Sequence, residues 1–85
     1  AVVWERDEHK CIICDSHAAA PCAHYIARSQ GGLGIEQNIV TLCADCHRAY
    51  DQSTSRGWYR ERIRAYLQAH YPNWNESKLV YHKYD

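Results

Sequence analysis

Apolar and polar positions along this chain change period several times, and each change marks an element. The segment around Cys22-Ala23-His24-Tyr25-Ile26 reads as a strand, and Ile39-Val40-Thr41-Leu42, rich in β-branched residues, reads as a second. Between them, Ser29-Gln30-Gly31-Gly32-Leu33-Gly34 places three glycines in four positions and predicts a wide turn. Helical composition then runs from Ala44 to Gln52. The polar stretch Gln52-Ser53-Thr54-Ser55 supplies caps for a longer helix from about Arg56 to His70. There Tyr59, Ile63, Tyr66, Leu67 and His70 fall at i, i+4, i+7, i+8 and i+11, an apolar stripe on one face. Pro72 stops that helix, because proline disfavours the helical conformation of the residue before it. Ahead of all this, Trp4 to Lys10 predicts a short helix leading into the first cysteines.

Composition narrows the class. The chain has 85 residues and is 46% hydrophobic, a globular rather than disordered profile. So short a chain cannot rely on a large core, and a staple such as a metal or disulfides is expected. No apolar stretch approaches 18 residues and nothing reads as a signal peptide, so a soluble, cytoplasmic domain with no membrane partner is expected. The absent initiator Met leaves the length of the native chain open.

The net charge is zero, which argues against binding driven by bulk positive charge alone. That zero conceals a division. Residues 1–51 carry four basic and seven acidic side chains, whereas residues 52–85 carry six basic and three acidic. Five cysteines and four of the six histidines lie in the acidic part. One site-bearing segment and one basic, aromatic-rich support are implied. Trp58, Tyr59, Tyr66, Tyr71, Trp74 and Tyr81 of that support are expected mainly as core fillers.

Cysteine spacing is the strongest chemical signal. Cys11-x2-Cys14 and, after 28 intervening residues, Cys43-x2-Cys46 form two knuckles suited to tetrahedral zinc. A disulfide framework would need secretory features and would leave Cys22 over, and a redox pair would not require two such motifs. His47 is an alternative to Cys46 in the shell. Cys22 itself is expected as a small buried hydrophobe.

His24-Tyr25-Ile26-Ala27-Arg28-Ser29-Gln30-Gly31-Gly32, Asn38-Ile39-Val40-Thr41-Leu42-Cys43 and Cys46-His47 together resemble the HNH nucleases of the zinc-knuckled kind found in phages and mobile elements. Trp4-Glu5-Arg6-Asp7 is similar to the family's lead-in, and the motif core spans residues 11–51. The resemblance implies a small α+β fold, a ββα-metal finger stapled by a four-cysteine zinc site, with a C-terminal helix packed against it. One domain over residues 1–85 is expected, with 52–85 as helical support. The implied activity is divalent-metal-dependent hydrolysis of DNA, in a bacterial or phage-encoded protein.

His24, Asn38 and His47 stand at the three positions that name the motif. His24 matches the general base, a task an imidazole suits because it titrates near neutrality. His47 matches the catalytic-metal ligand, and Asp51, one helical turn on, returns to the same face to join it. Asn38 matches an organising residue whose amide clamps the wide loop. The family often has His or Asp just before the base, as a metal ligand; here it is Ala23. Cys22, His17 or Asp51 would have to substitute, or water would complete the shell. Mg²⁺ or Mn²⁺ suits such a site, with Ni²⁺ or Zn²⁺ as softer options. Arg28, together with Arg56, Arg60 and Arg64 recurring every four residues, would contact phosphates. The competing function is a non-catalytic zinc module that binds nucleic acid or protein; Ala23 favours it, and His24 with His47 favours the nuclease.

Overall fold

The computed structural model describes residues 2–80. Helix α1 (Val2–Arg6) leads through the first cysteine knuckle to strand β1 (Ala19–His24). A wide loop with two short 3₁₀ turns, Arg28–Gln30 and Glu36–Asn38, returns the chain as β2 (Ile39–Cys43). Helix α2 (Ala44–Gln52) follows at once, then α3 (Arg56–His70) and a last 3₁₀ turn, Glu76–Leu79. This is a small α+β fold whose centre is a strand–loop–strand–helix finger.

The strands pair antiparallel with Ala19 opposite Cys43, Ala20 opposite Leu42, Ala23 opposite Val40 and His24 opposite Ile39. From Ala20 to Ala23 the first strand spends one more residue than the second, which is a β-bulge containing Pro21 and Cys22. Proline has no N–H to give to a ladder, and a bulge is where a strand tolerates it. The strand therefore begins three residues before the expected Cys22 and ends at His24. Alanines with little intrinsic strand preference are drawn into pairing because Cys43 beside them is fixed by the knuckle.

β2 is the edge at risk, and its outer side is covered. Thr41 N–H donates to Asp7 Oδ2 at 2.8 Å, Ile12 N–H donates to the Thr41 carbonyl at 3.1 Å, and Arg6 donates to the Ile39 carbonyl at 2.7 Å. The edge's polar groups are thereby satisfied without a third strand. Asp7 is 2% exposed. Its carboxylate also accepts from Arg6 at 2.7 and 3.0 Å and from the Tyr66 hydroxyl at 2.7 Å, so α1, β2 and α3 meet on one ion pair.

α3 seats Ile63 and Leu67, both fully buried, on a core that includes Val40, Leu42 and Tyr50, with Tyr59 and Tyr66 packed beside them. His70, at the end of the apolar stripe, is exposed and lies 4.4 Å from the Tyr66 ring. Tyr71 and Trp74 also pack on the core. Trp58 does not: it is 51% exposed, on the flank of α3 away from Ile63, with the Arg62 guanidinium 5.0 Å over its ring. Its expected role as core filler is thus corrected. Tyr81 lies outside the described residues. No helix among the described residues is long and apolar enough to cross a membrane.

Candidate metal centre and active site

The two knuckles converge. The sulfurs of Cys11, Cys14, Cys43 and Cys46 all lie within 4.8 Å of one another, with Cys14 and Cys43 at 3.5 Å. Tetrahedral zinc with bonds of about 2.3 Å would hold its sulfurs about 3.8 Å apart, so the donor set and its spacing fit such an ion. All five cysteines are free thiols. The first knuckle is a tight turn, closed by Cys11 N–H to the Ser16 carbonyl at 2.8 Å and by Asp15 N–H to the Cys11 carbonyl at 3.0 Å. In the second, Cys43 is also the N-cap of α2, and its sulfur accepts Cys46 N–H at 3.4 Å. One residue thus ends β2, starts α2 and offers a ligand.

The electrostatics of the cluster ask for a cation. Burial opposes ionisation of the Cys11 thiol, but backbone N–H groups of Cys14, Cys43 and Ile13 outweigh it and bring it down to about 7. Burial, then the neighbouring thiols of Cys43 and Cys11, push the Cys46 thiol up. Four thiolates can coexist here only around a positive ion, which deprotonates the thiols it binds.

Along the finger, His24 is the last residue of β1 and half-buried, and its ring makes no hydrogen bond to any described residue. His47 sits in the first turn of α2, with Nε2 3.5 Å from Asp51 Oδ2 one turn later. These two exposed-side donors are adjacent to solvent, at 35% and 57% exposure of their side chains. Asn38 is fully buried. Its Oδ1 accepts Ile26 N–H at 2.9 Å, and its Nδ2 donates to the carbonyls of Ile26 at 3.1 Å and Leu33 at 2.8 Å. The side chain thereby continues the sheet past its last backbone pair and ties both ends of the wide loop. Gly32 lets that loop close, since a Cβ there would collide with the Ile26 carbonyl.

Ala23 is fully buried in the core and offers no ligand. Cys22 is exposed, contrary to the expectation of a buried hydrophobe, because the bulge at Pro21 turns it outward. It shares with His47 a shallow pocket of about 300 Å³, walled by Ala18, Ala19, Ala20, Leu42 and Ala44. His17 is occupied elsewhere, its Nδ1 lying 3.1 Å from the His9 carbonyl. Among the described residues, the four cysteines are the one group of three or more potential metal ligands drawn together.

The arginines divide. Arg60 lies 4.0 Å and Arg64 3.5 Å from the Glu76 carboxylate, and Arg64 also lies 3.5 Å from Glu61. Arg28 and Arg56 are exposed and enter no ion pair among the described residues. Sequence reasoning missed Tyr25, Tyr50 and Glu76, which surround the strand end at His24. A tyrosine next to His24 and another next to Asp51 were the available signal, and tyrosine is too common a residue to read that way.

Fold and site define a ββα finger whose strand end and helix carry two histidines and whose base is a four-cysteine metal centre. The chain belongs to the HNH endonuclease family, whose profile matches residues 11–53. It is also 36% identical over 45 residues to Anaredoxin of Nostoc sp. (strain PCC 7120 / SAG 25.82 / UTEX 2576), a match covering 52% of this chain and 59% of that protein. The chain thus matches rather more than half the length of that relative. No solved structure matches.

Proposed function

We propose that the chain is a divalent-metal-dependent DNA endonuclease or nickase acting in the cytoplasm. The observation that carries this reading is the joint placement of His24 at the end of β1 and the His47–Asp51 pair on the helix that packs against that strand. A binding module needs the staple and the fold but not this pairing. The four cysteines hold structural zinc. His47 and Asp51 would hold a catalytic Mg²⁺ or Mn²⁺, with softer divalent ions as substitutes. Such an ion, when bound, neutralises phosphate charge and eases departure of the leaving oxygen.

His24 takes a proton from water as its oxygen attacks phosphorus, and the bond from phosphorus to the 3′ oxygen breaks. The leaving oxygen then gains a proton from solvent, giving 3′-hydroxyl and 5′-phosphate ends. Asn38 keeps the His24 strand and the wide loop in register. Arg28 and Arg56, unpaired among the described residues, supply positive charge for the phosphate backbone, while Arg60 and Arg64 share theirs with Glu76.

Ala23 favours the second reading, a non-catalytic zinc module, because it removes a ligand position beside His24. Supercoiled plasmid separates the two. Zinc-loaded protein should convert it to nicked or linear DNA when Mg²⁺, Mn²⁺ or Ni²⁺ is added and should not when they are chelated. Retarded but uncut plasmid under every metal would establish the binding module instead.

A further inference from the structure

Tyr25, the residue after His24, is held from four directions. Its N–H donates to the Asn38 carbonyl at 2.7 Å, and its carbonyl accepts the Tyr50 hydroxyl at 2.6 Å. Its own hydroxyl donates to Glu76 Oε1 at 2.8 Å, and the Arg60 guanidinium lies 4.5 Å over its ring. Arg60 is in turn drawn to the same Glu76. Tyr25 and Tyr50 are 2% and 5% exposed, so water does not compete for the bond between them.

The Tyr50–Tyr25 bond joins two particular places. Tyr50 lies on α2, three residues after His47 and next to Asp51; the Tyr25 carbonyl lies one residue beyond His24. Neither the sheet ladder nor the helix needs this bond, and it ties α2 to the strand end one helical turn beyond Cys46, the last of the clustered cysteines. Asn38 grips the same strand end from the loop side.

We propose that Tyr50 is a positioning residue: its buried hydroxyl fixes the strand end that carries His24 against the helix that carries His47 and Asp51, with Arg60 and Glu76 as outer supports. This rests on the nuclease reading. It gives Arg60 a different task from the phosphate contact expected on its spacing, since its guanidinium covers Tyr25 and faces Glu76. Displacing a reacting group by about 1 Å can cost about 10²-fold in rate, so a bond that sets this separation acts on the chemical step rather than on binding.

Single-turnover cleavage of supercoiled plasmid by the zinc-loaded chain tests this. Tyr50→Phe keeps the ring and loses only the hydroxyl. It should retain zinc, plasmid affinity and the metal concentration for half-maximal activity. Its saturated rate should fall about 10- to 100-fold and should not return with added metal or higher pH. Arg60→Gln should show a smaller loss of the same kind, whereas Arg56→Gln should show its effect in plasmid affinity. A wild-type rate in Tyr50→Phe, or a loss that appears as weaker plasmid binding, overturns the inference while leaving the nuclease reading intact. A wild-type chain that never cuts overturns both. If Tyr50→Phe does not fold, Arg60→Lys decides, because it keeps the charge and loses the planar cover on Tyr25: an unchanged saturated rate is then the contrary result.

Discussion

Asp7 shows how much one side chain carries in so small a chain. Its carboxylate accepts four hydrogen bonds, from Arg6 twice, Tyr66 and the Thr41 N–H, and it lies at the meeting of three elements. Burial alone would raise its pKa, but the bonds from Arg6, Tyr66 and Thr41 outweigh that and hold it below the ordinary 3.8. The unfolded chain therefore takes up this proton first as pH falls. The stabilisation is complete above 3.8 and is lost only as pH drops further, through the lower folded value. Asp7→Asn leaves the Arg6 guanidinium buried without its counter-charge and should cost about 3 kcal/mol. Asp7 is ionised in both the folded and the unfolded chain well above 3.8, so the difference between wild type and Asp7→Asn should stay constant from about pH 6 to 8. Urea titrations across that range check it, and a difference that grows steadily with pH would contradict the assignment. Sequence marked Arg6 and Asp7 as part of a lead-in motif, but nothing in adjacent opposite charges distinguishes a buried clamp from a solvated pair.

The elements differ in how openly the sequence announced them. α2 and α3 have the expected limits, Ala44–Gln52 and Arg56–His70, because a knuckle caps one and a polar run and Pro72 bound the other. β2 is nearly as legible from its β-branched residues. β1 is not: it starts at Ala19, in alanines and a proline that no strand propensity selects, and its register depends on the bulge and on Cys43. The first helix ends at Arg6 rather than Lys10, as Glu8 and His9 adopt positive φ of 58° and 59°. The four-cysteine cluster was legible, since spacing alone picks out the four cysteines that the fold brings together. That centre joins the loop after α1 to the β2–α2 corner, so chelating the metal should abolish cooperative unfolding and leave an unfolded or loosely collapsed chain. Circular dichroism with zinc quantitation checks this, the expected stoichiometry being one ion per chain. A folded apo-chain of unchanged melting temperature, or iron found in place of zinc, would count against the structural-zinc reading.

At the scale of the molecule, acidic and basic parts have separate duties that the zero net charge hides. The acidic part carries the cysteines and His24, His47 and Asp51, while the basic part lies over it through α3. Of the arginines spaced along that helix, two turn to Glu76 and one enters no ion pair among the described residues, a division that periodicity cannot reveal because Glu76 is distant in sequence. The same carboxylate reaches Tyr25, so the basic support and the strand end at His24 form one packed unit. The roles of the two histidines remain the centre of the account, and loss of activity alone does not separate them. The most direct measurement is the plasmid cleavage rate of His24→Ala and His47→Ala, each followed against pH and against divalent-metal concentration. With His24 as base, His24→Ala should keep fold, zinc and metal affinity, lose about 10²–10⁴-fold in rate, and recover partly at high pH, where hydroxide replaces the base. His47→Ala should instead recover with excess metal and hardly with pH. A His24→Ala chain that cuts at the wild-type rate, or a reversal in which metal rescues His24→Ala and pH rescues His47→Ala, would contradict it.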